Sequence, residues 1–191
     1  MPCARHHCGA AQCGASPRSP SLEVWEPSHP PRRSFADAYD RDIALIVQAD
    51  RLGYHEAWIG EHITEMWENA PVPELLIAKA LALTERSIFA TGVTRLPLHH
   101  PVDITHRIAM LGHMARGRFY WGIGVRSLPT DLQLYGIEYT TMEDVREQGK
   151  EALEVILGLW QAEQGRFDYA RQVLSGARTG GAAGVRTPPL L

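Results

Sequence analysis

Residues Ser87 to Gly124 read SIFATGVTRLPLHHPVDITHRIAMLGHMARGRFYWGIG, and the fold class turns on them. The apolar run from Ser87 to Thr94 has the length and composition of a buried strand. Leu96 to His100 read as a loop. Pro101 then stands at a first helical position, where no backbone N–H is needed. Ile104, Ile108 and Leu111 recur at helical spacing, and Gly117 ends the helix. Arg118 to Gly124 form the next short strand. Strand, helix and strand in this compass imply parallel pairing, because a right-handed crossover needs the intervening helix.

The alternation continues on both sides. Upstream, Ser34 with Asp37 three positions on is a helix N-cap with an acidic partner. Tyr39, Ile43, Ile46 and Val47 give that helix, 35–52, one buried stripe, and Gly53 sits where a left-handed cap belongs. Glu56 to Gly60 read as a strand and Glu61 to Val72 as a loop. Pro73 opens a second helix through Thr84, apolar nearly all round and so needing cover on more than one side. Ser21 to Glu26 form a weak first strand before the turn forced by Pro27, Pro30 and Pro31. Downstream of Gly124 comes a long loop. Thr140 or Thr141 then caps a last helix whose apolar face is Ala152, Val155, Ile156, Leu159 and Trp160.

Strand ends fall near residues 60, 93 and 124, about 32 residues apart, the length of one βα unit. The expected fold class is therefore α/β with a parallel sheet. An open doubly wound sheet and a closed barrel both satisfy this pattern, and periodicity does not choose between them. The expected organisation is a disordered leader over 1–20, a domain over 21–174 and a disordered tail over 175–191.

Composition narrows the function classes. The chain has 191 residues, 45% hydrophobic and 21% charged, with a formal net charge of -3. Neither this charge nor a pI near 6.3 makes a nucleic-acid footprint or a polybasic membrane contact. No apolar run approaches the roughly 18 residues of a membrane span. The three cysteines, Cys3, Cys8 and Cys13, are odd in number and sit in the biased leader. They make no closed disulfide framework, and without a secretory signal a cytoplasmic location is the default. With His6 and His7 they also make a poor zinc site. His99 and His100 are adjacent and do not converge on one ion, and His106 and His113 have nothing acidic between them, so no metal is expected.

Four stretches together resemble the luciferase-like, flavin-dependent monooxygenases: Ala57 to His62 (AWIGEH), Ala90 to Pro101 (ATGVTRLPLHHP), Ala115 to Gly124 (ARGRFYWGIG) and Glu151 to Trp160 (EALEVILGLW). The resemblance covers about Pro30 to Trp160. It implies a (β/α)₈ TIM barrel, of which this chain would hold about four βα units, the N-terminal half. It implies reduced FMN, supplied by a separate flavin reductase, or in some branches a deazaflavin. It also implies oxygen and a small organic substrate.

The resemblance likewise implies the site, which in such barrels lies at the carboxyl ends of the strands. His62 matches the first histidine of the family's Glu-His-His motif and is the candidate catalytic residue, able to donate a hydrogen bond or shuttle a proton. Position 63 is Ile where many relatives carry a second histidine. The candidate cofactor-binding residues are Thr91, Gly92, Val93, Gly122, Gly124, Arg126 and Ser127. A cis peptide is implied at Gly92–Val93, against the flavin ring. Gly122 and Gly124 are small enough to let a flavin approach the backbone. With Ser127 they fall short of a dinucleotide fingerprint, since the third glycine is missing. Arg126 is a candidate for the flavin phosphate and equally reads as a solvated charge.

A complete barrel of this type needs about 250 residues, so the chain reads as truncated. Family members pair through their second and third helices, which suits the Pro73–Thr84 helix and implies a homodimer. Two other functions compete with the monooxygenase. One is a non-catalytic flavin-binding or dimerising fragment, and the other is an unrelated doubly wound nucleotide-binding protein.

Overall fold

The computed structural model of the chain describes residues 21–23, 34–65, 68–138 and 141–161, the first of these segments by its backbone alone. The leader, the tail and residues 162–174 of the expected domain lie outside the described residues.

Strand β1 (Ser21–Glu23) precedes helix α1 (Phe35–Leu52). The Ser34 hydroxyl accepts from the Asp37 N–H at 3.2 Å, and the Asp37 carboxylate takes the Ser34 N–H, closing a capping box. Gly53 ends α1 at φ 86°, a left-handed conformation in which any Cβ is crowded. Strand β2 (Glu56–Ile59) follows, then α2 (Pro73–Leu81). Helix α2 stops short of the expected Thr84. The Asp50 carboxylate collects the backbone N–H groups of Glu85, Arg86 and Ser87, which turns the chain into β3.

The run expected as one strand over Ser87–Thr94 is two: β3 (Ile88–Thr91) and β4 (Thr94–Arg95), parted at a cis Gly92–Val93 peptide. A single 3₁₀ turn over Leu96–Leu98 leads to α3 (Pro101–Ala115). The next expected strand is also divided, into β5 (Phe119–Tyr120) and β6 (Ile123–Gly124), because its halves have different partners: β5 pairs with β3, and β6 with β4. The long loop expected after Gly124 holds a short helix, α4 (Pro129–Leu134). Helix α5 (Met142–Gln161) is capped by Thr141 rather than Thr140, again with a reciprocal pair to Asp144.

The four-stranded sheet runs β1-β2-β3-β5, and every pairing is parallel. Register aligns Ala57, Phe89 and Phe119 in one row and Trp58, Ala90 and Tyr120 in the next. Since side chains alternate across a strand, the two rows face opposite ways. Ala57, Ile59 and Phe89 are buried against Ile43 and Ile46 of α1, Ile77, Ala80 and Leu81 of α2, and Leu111 and Ala115 of α3. Helix α5 joins the same side through Ala152 and Ile156, which pack on Ile104 and Ile108. The Tyr120 side of the sheet carries none of these helices, and Tyr120 is 46% exposed. A doubly wound sheet has helices on both faces and a reversal in strand order. This one has neither among the described residues.

Candidate active site at the strand tips

The tips of β2, β3 and β5 converge. The Gly92 N–H donates to the Ile59 carbonyl at 2.8 Å, and the Thr94 N–H to the Gly122 carbonyl at 2.8 Å. Thr91 is fully buried. Its hydroxyl donates to the Gly122 carbonyl at 2.8 Å and accepts the Gly122 N–H at 3.0 Å. Thr91, Gly92, Val93, Gly122 and Gly124 therefore form one cluster, with Gly60 beside Gly92. The glycines have a steric reason inside the protein itself. A Cβ on Gly122 would run into the Thr91 carbonyl oxygen, and one on Gly124 would stand 2.6 Å from Val93 Cγ2. Close strand packing demands them before any ligand does.

Glu61 and His62 follow β2 directly. Glu61 is 1% exposed, and both its carboxylate oxygens are engaged. Oε2 accepts the Arg95 N–H at 2.6 Å, and Oε1 lies 2.6 Å from His99 Nε2. The Glu61 carbonyl accepts Arg95 Nε at 2.7 Å. On the far side of His99, Arg107 Nη2 lies 2.9 Å from Nδ1. Arg107 in turn stands 3.8 Å from the buried Glu74 and 3.4 Å from Asp103. The pair His99-His100 thus divides its labour: His99 turns inward, whereas His100 caps α3 by accepting the Val102 N–H.

His62 is half-buried between an arginine and a carboxylate. Arg95 Nη2 lies 3.3 Å from its Nδ1, and Glu68 Oε2 lies 3.2 Å from its Nε2. Burial lowers the imidazole's proton affinity below the usual histidine range, and the Arg95 charge lowers it further. The carboxylates of Glu68, Asp131 and Glu65 oppose this without reversing it. The ring rests over bare backbone, since a Cβ on Gly60 would meet His62 Cδ2 and Nε2 at 3.3 Å.

Two candidates stand apart from this cluster. Arg126 is exposed just beyond β6, its guanidinium 3.4 Å from the Met142 sulfur. The Ser127 hydroxyl is turned to Asp131 Oδ2 at 3.4 Å. Asp131 is fully buried and ties α4 to the β2 loop, accepting the Thr64 N–H at 2.9 Å and the Thr64 hydroxyl at 2.6 Å. The sequence reading assigned no role to Arg95, His99, Arg107, Glu68 or Asp131. The one available signal was chemical: Glu61 is a carboxylate at a strand end with no local cation to pair with.

A parallel sheet with one-sided helices, and a polar cluster gathered at its carboxyl ends, defines an α/β protein of the kind that places its chemistry in the loops after its strands. Comparison with known families gives the particular one. Residues 21–188 match the model of the luciferase-like monooxygenases, and the chain belongs to that family. It is 38% identical over 130 residues to 4-hydroxyprotoasukamycin monooxygenase of Streptomyces nodosus subsp. asukaensis, covering 68% of this chain and 34% of that protein. It is 36% identical over 126 residues to limonene 1,2-monooxygenase of Rhodococcus erythropolis, covering 66% of this chain and 32% of that one. Among solved structures it is similar to the oxygenating constituent of 3,6-diketocamphane monooxygenase from the CAM plasmid of Pseudomonas putida. That protein is a type II Baeyer-Villiger monooxygenase in complex with FMN. The TM-score is 0.73 at 28% identity, over 89% of this chain and 44% of that one. The chain thus spans about a third of the length of these curated relatives. No helix among the described residues is long and apolar enough to cross a membrane.

Proposed function

We propose that this chain carries part of the flavin-binding front of an FMN-dependent monooxygenase that acts with oxygen on a small organic substrate. The observation that carries the reading is the convergence of Gly92–Val93, Gly122–Gly124 and Glu61–His62 at one end of a parallel sheet. The one-sided helices and unreversed strand order support a further inference: the sheet is an arc of about four βα units of a (β/α)₈ barrel, with Trp58 and Tyr120 on the interior side.

The residues present fit a planar, phosphate-bearing ligand. Gly60 and Gly92 carry no Cβ at two adjacent tips, where the flat side chains of His62 and Trp58 already lie close to the backbone. His62 and Arg95 supply donors along one edge. Arg126, exposed and with Nη2 3.4 Å from the Met142 sulfur, has donors to offer a phosphate in a bidentate pair. Bound reduced FMN would supply the electrons that activate oxygen. In this reading the chain's own work is to hold the ring against β3, fix the phosphate, and set a hydrogen bond from His62 at the ligand's edge. A separate flavin reductase would return the flavin to its reduced form.

Titration of the full chain with FMN and riboflavin tests the reading. FMN is expected to bind this partial chain only weakly, and Arg126→Ala should weaken it further by roughly tenfold, about 1.4 kcal/mol, while leaving riboflavin unaffected. Absence of any FMN-dependent change would overturn the assignment. Preference for a deazaflavin cofactor over FMN would move the chain to that branch. Oxygen uptake with reduced FMN then separates a working monooxygenase from the second reading, a flavin-binding or dimerising fragment. One observation favours dimerisation. Val102, His106, Met110 and Met114 make an exposed stripe of every fourth residue on α3, with Met110 66% and Met114 54% exposed, while α2 leaves Leu75 71% exposed. Such stripes suit a homodimer through α2 and α3.

A further inference from the structure

We propose that Arg95 is a positioning residue that fixes the tautomer of His62, with Glu61 as its buried anchor. The proposal takes from the preceding reading only that His62 belongs to the site. Arg95 lies in β4, immediately past the Gly92–Val93 turn of the chain. It is held twice by one residue: its backbone N–H donates to Glu61 Oε2 at 2.6 Å, and its Nε donates to the Glu61 carbonyl at 2.7 Å. With Nε committed, the planar fork has one orientation left, and that orientation puts Nη2 3.3 Å from His62 Nδ1.

A guanidinium has donors only. His62 Nδ1 must therefore accept, and a neutral ring carries its proton on Nε2. The Glu68 carboxylate, an acceptor, lies 3.2 Å from that nitrogen, so both ends of the ring give the same answer. The arrangement recurs one step inward. Arg107 Nη2 faces His99 Nδ1 at 2.9 Å, and a Glu61 oxygen faces His99 Nε2 at 2.6 Å. Glu61 thus serves both lines, receiving one histidine and orienting the arginine of the other. Its burial allows no water to replace either contact.

The consequence is chemical. His62 offers a hydrogen-bond donor at Nε2 and has no free basic nitrogen at Nδ1. Its partner Glu68 would be exchanged for an acceptor oxygen on a bound ligand, so His62 orients that ligand by donation and abstracts no proton from it. Arg95 and Glu68 contact the ring, and the charges of Asp131 and Glu65 also act on it. Arg95 is the one cation among them, and it opposes protonation of the ring.

The test is nitrogen-resolved NMR of the full chain labelled with ¹⁵N-histidine, with His62→Gln used to assign the signal. The expected result for the unmodified protein is an Nε2–H tautomer that titrates below the ordinary histidine midpoint. Arg95→Met should shift the ring to a mixture of tautomers and move its midpoint upward. Arg95→Lys, which keeps the charge and loses the fork, should restore the midpoint more than the tautomer. An Nδ1–H ring in the unmodified protein overturns the proposal, and so does an unchanged ring in Arg95→Met. Should Arg95→Met fail to fold, Arg95→Lys decides, since a tautomer as pure as the original would exclude control by the fork. Because no flavin is present in these spectra, a failure to bind FMN would count against the proposed function and leave this result standing.

Discussion

Asp50 shows how one side chain organises a junction. It sits 7% exposed in the last turn of α1 and accepts from the Glu85, Arg86 and Ser87 N–H groups and from the Ser87 hydroxyl. Burial by itself would raise its pKa, but the hydrogen bonds from Ser87, Glu85 and Arg86 together outweigh it and bring the carboxyl to about 2 from 3.8. A depressed carboxylate pKa stabilises the fold above the unfolded value and loses that contribution as pH falls through the folded one. The window is therefore pH 4 to 2, and the loss expected there is roughly 2 kcal/mol. Urea unfolding across that range should show it, and Asp50→Asn should flatten it. Asp50→Ala, which strands buried donors, should cost about 3 kcal/mol or more at neutral pH. Glu61 belongs to the same scale but serves the site instead of the frame. Neither carboxylate betrays its partners in sequence, since those partners lie some 34–38 residues away.

Elements were the most legible level. Ser34 with Asp37, Gly53, Pro73 and Pro101 each mark a boundary that the structure keeps, because capping is decided within a turn of the chain. Strands were less legible. β3 and β5 were expected to run on to Thr94 and Gly124, and both break where the chain changes partner. Helix α4 was missed because its six residues carry no complete apolar period. Gly149 in α5 offers a test in which two effects compete. Replacing it by Ala gains about 0.5–1 kcal/mol of helix propensity. The new Cβ would collide with Val125 Cγ1 and stand 3.1 Å from Val125 Cβ, on a stiff β-branched side chain. Overpacking of that kind costs about 1–3 kcal/mol, so Gly149→Ala should lower the melting temperature despite the better propensity. A rise would mean that α5 is loosely seated on the strand tips.

At the scale of the whole molecule, the sheet presents a helix-covered face and a face with Tyr120 half exposed, while α2 presents Leu75 and α3 presents Val102, Met110 and Met114 outward. The proposed homodimer puts these side chains to use. Leu75→Asp combined with Met110→Asp should convert a dimer to a monomer in size-exclusion chromatography with light scattering, with little change in helical content. If the unmodified chain is already a compact monomer, pairing through these helices is wrong.

Strand-helix alternation and helix caps were determined by sequence alone, because each depends on residues within a few positions of one another, whereas the candidate site at the strand ends came from the family resemblance. Tertiary structure alone decided that α1, α2 and α3 pack on the side of Ala57 and Phe89, and that Glu61 reaches both Arg95 and His99. The physical reason is register: which side chains meet across parallel strands is fixed by how separate segments align, and no local window of the chain encodes that alignment.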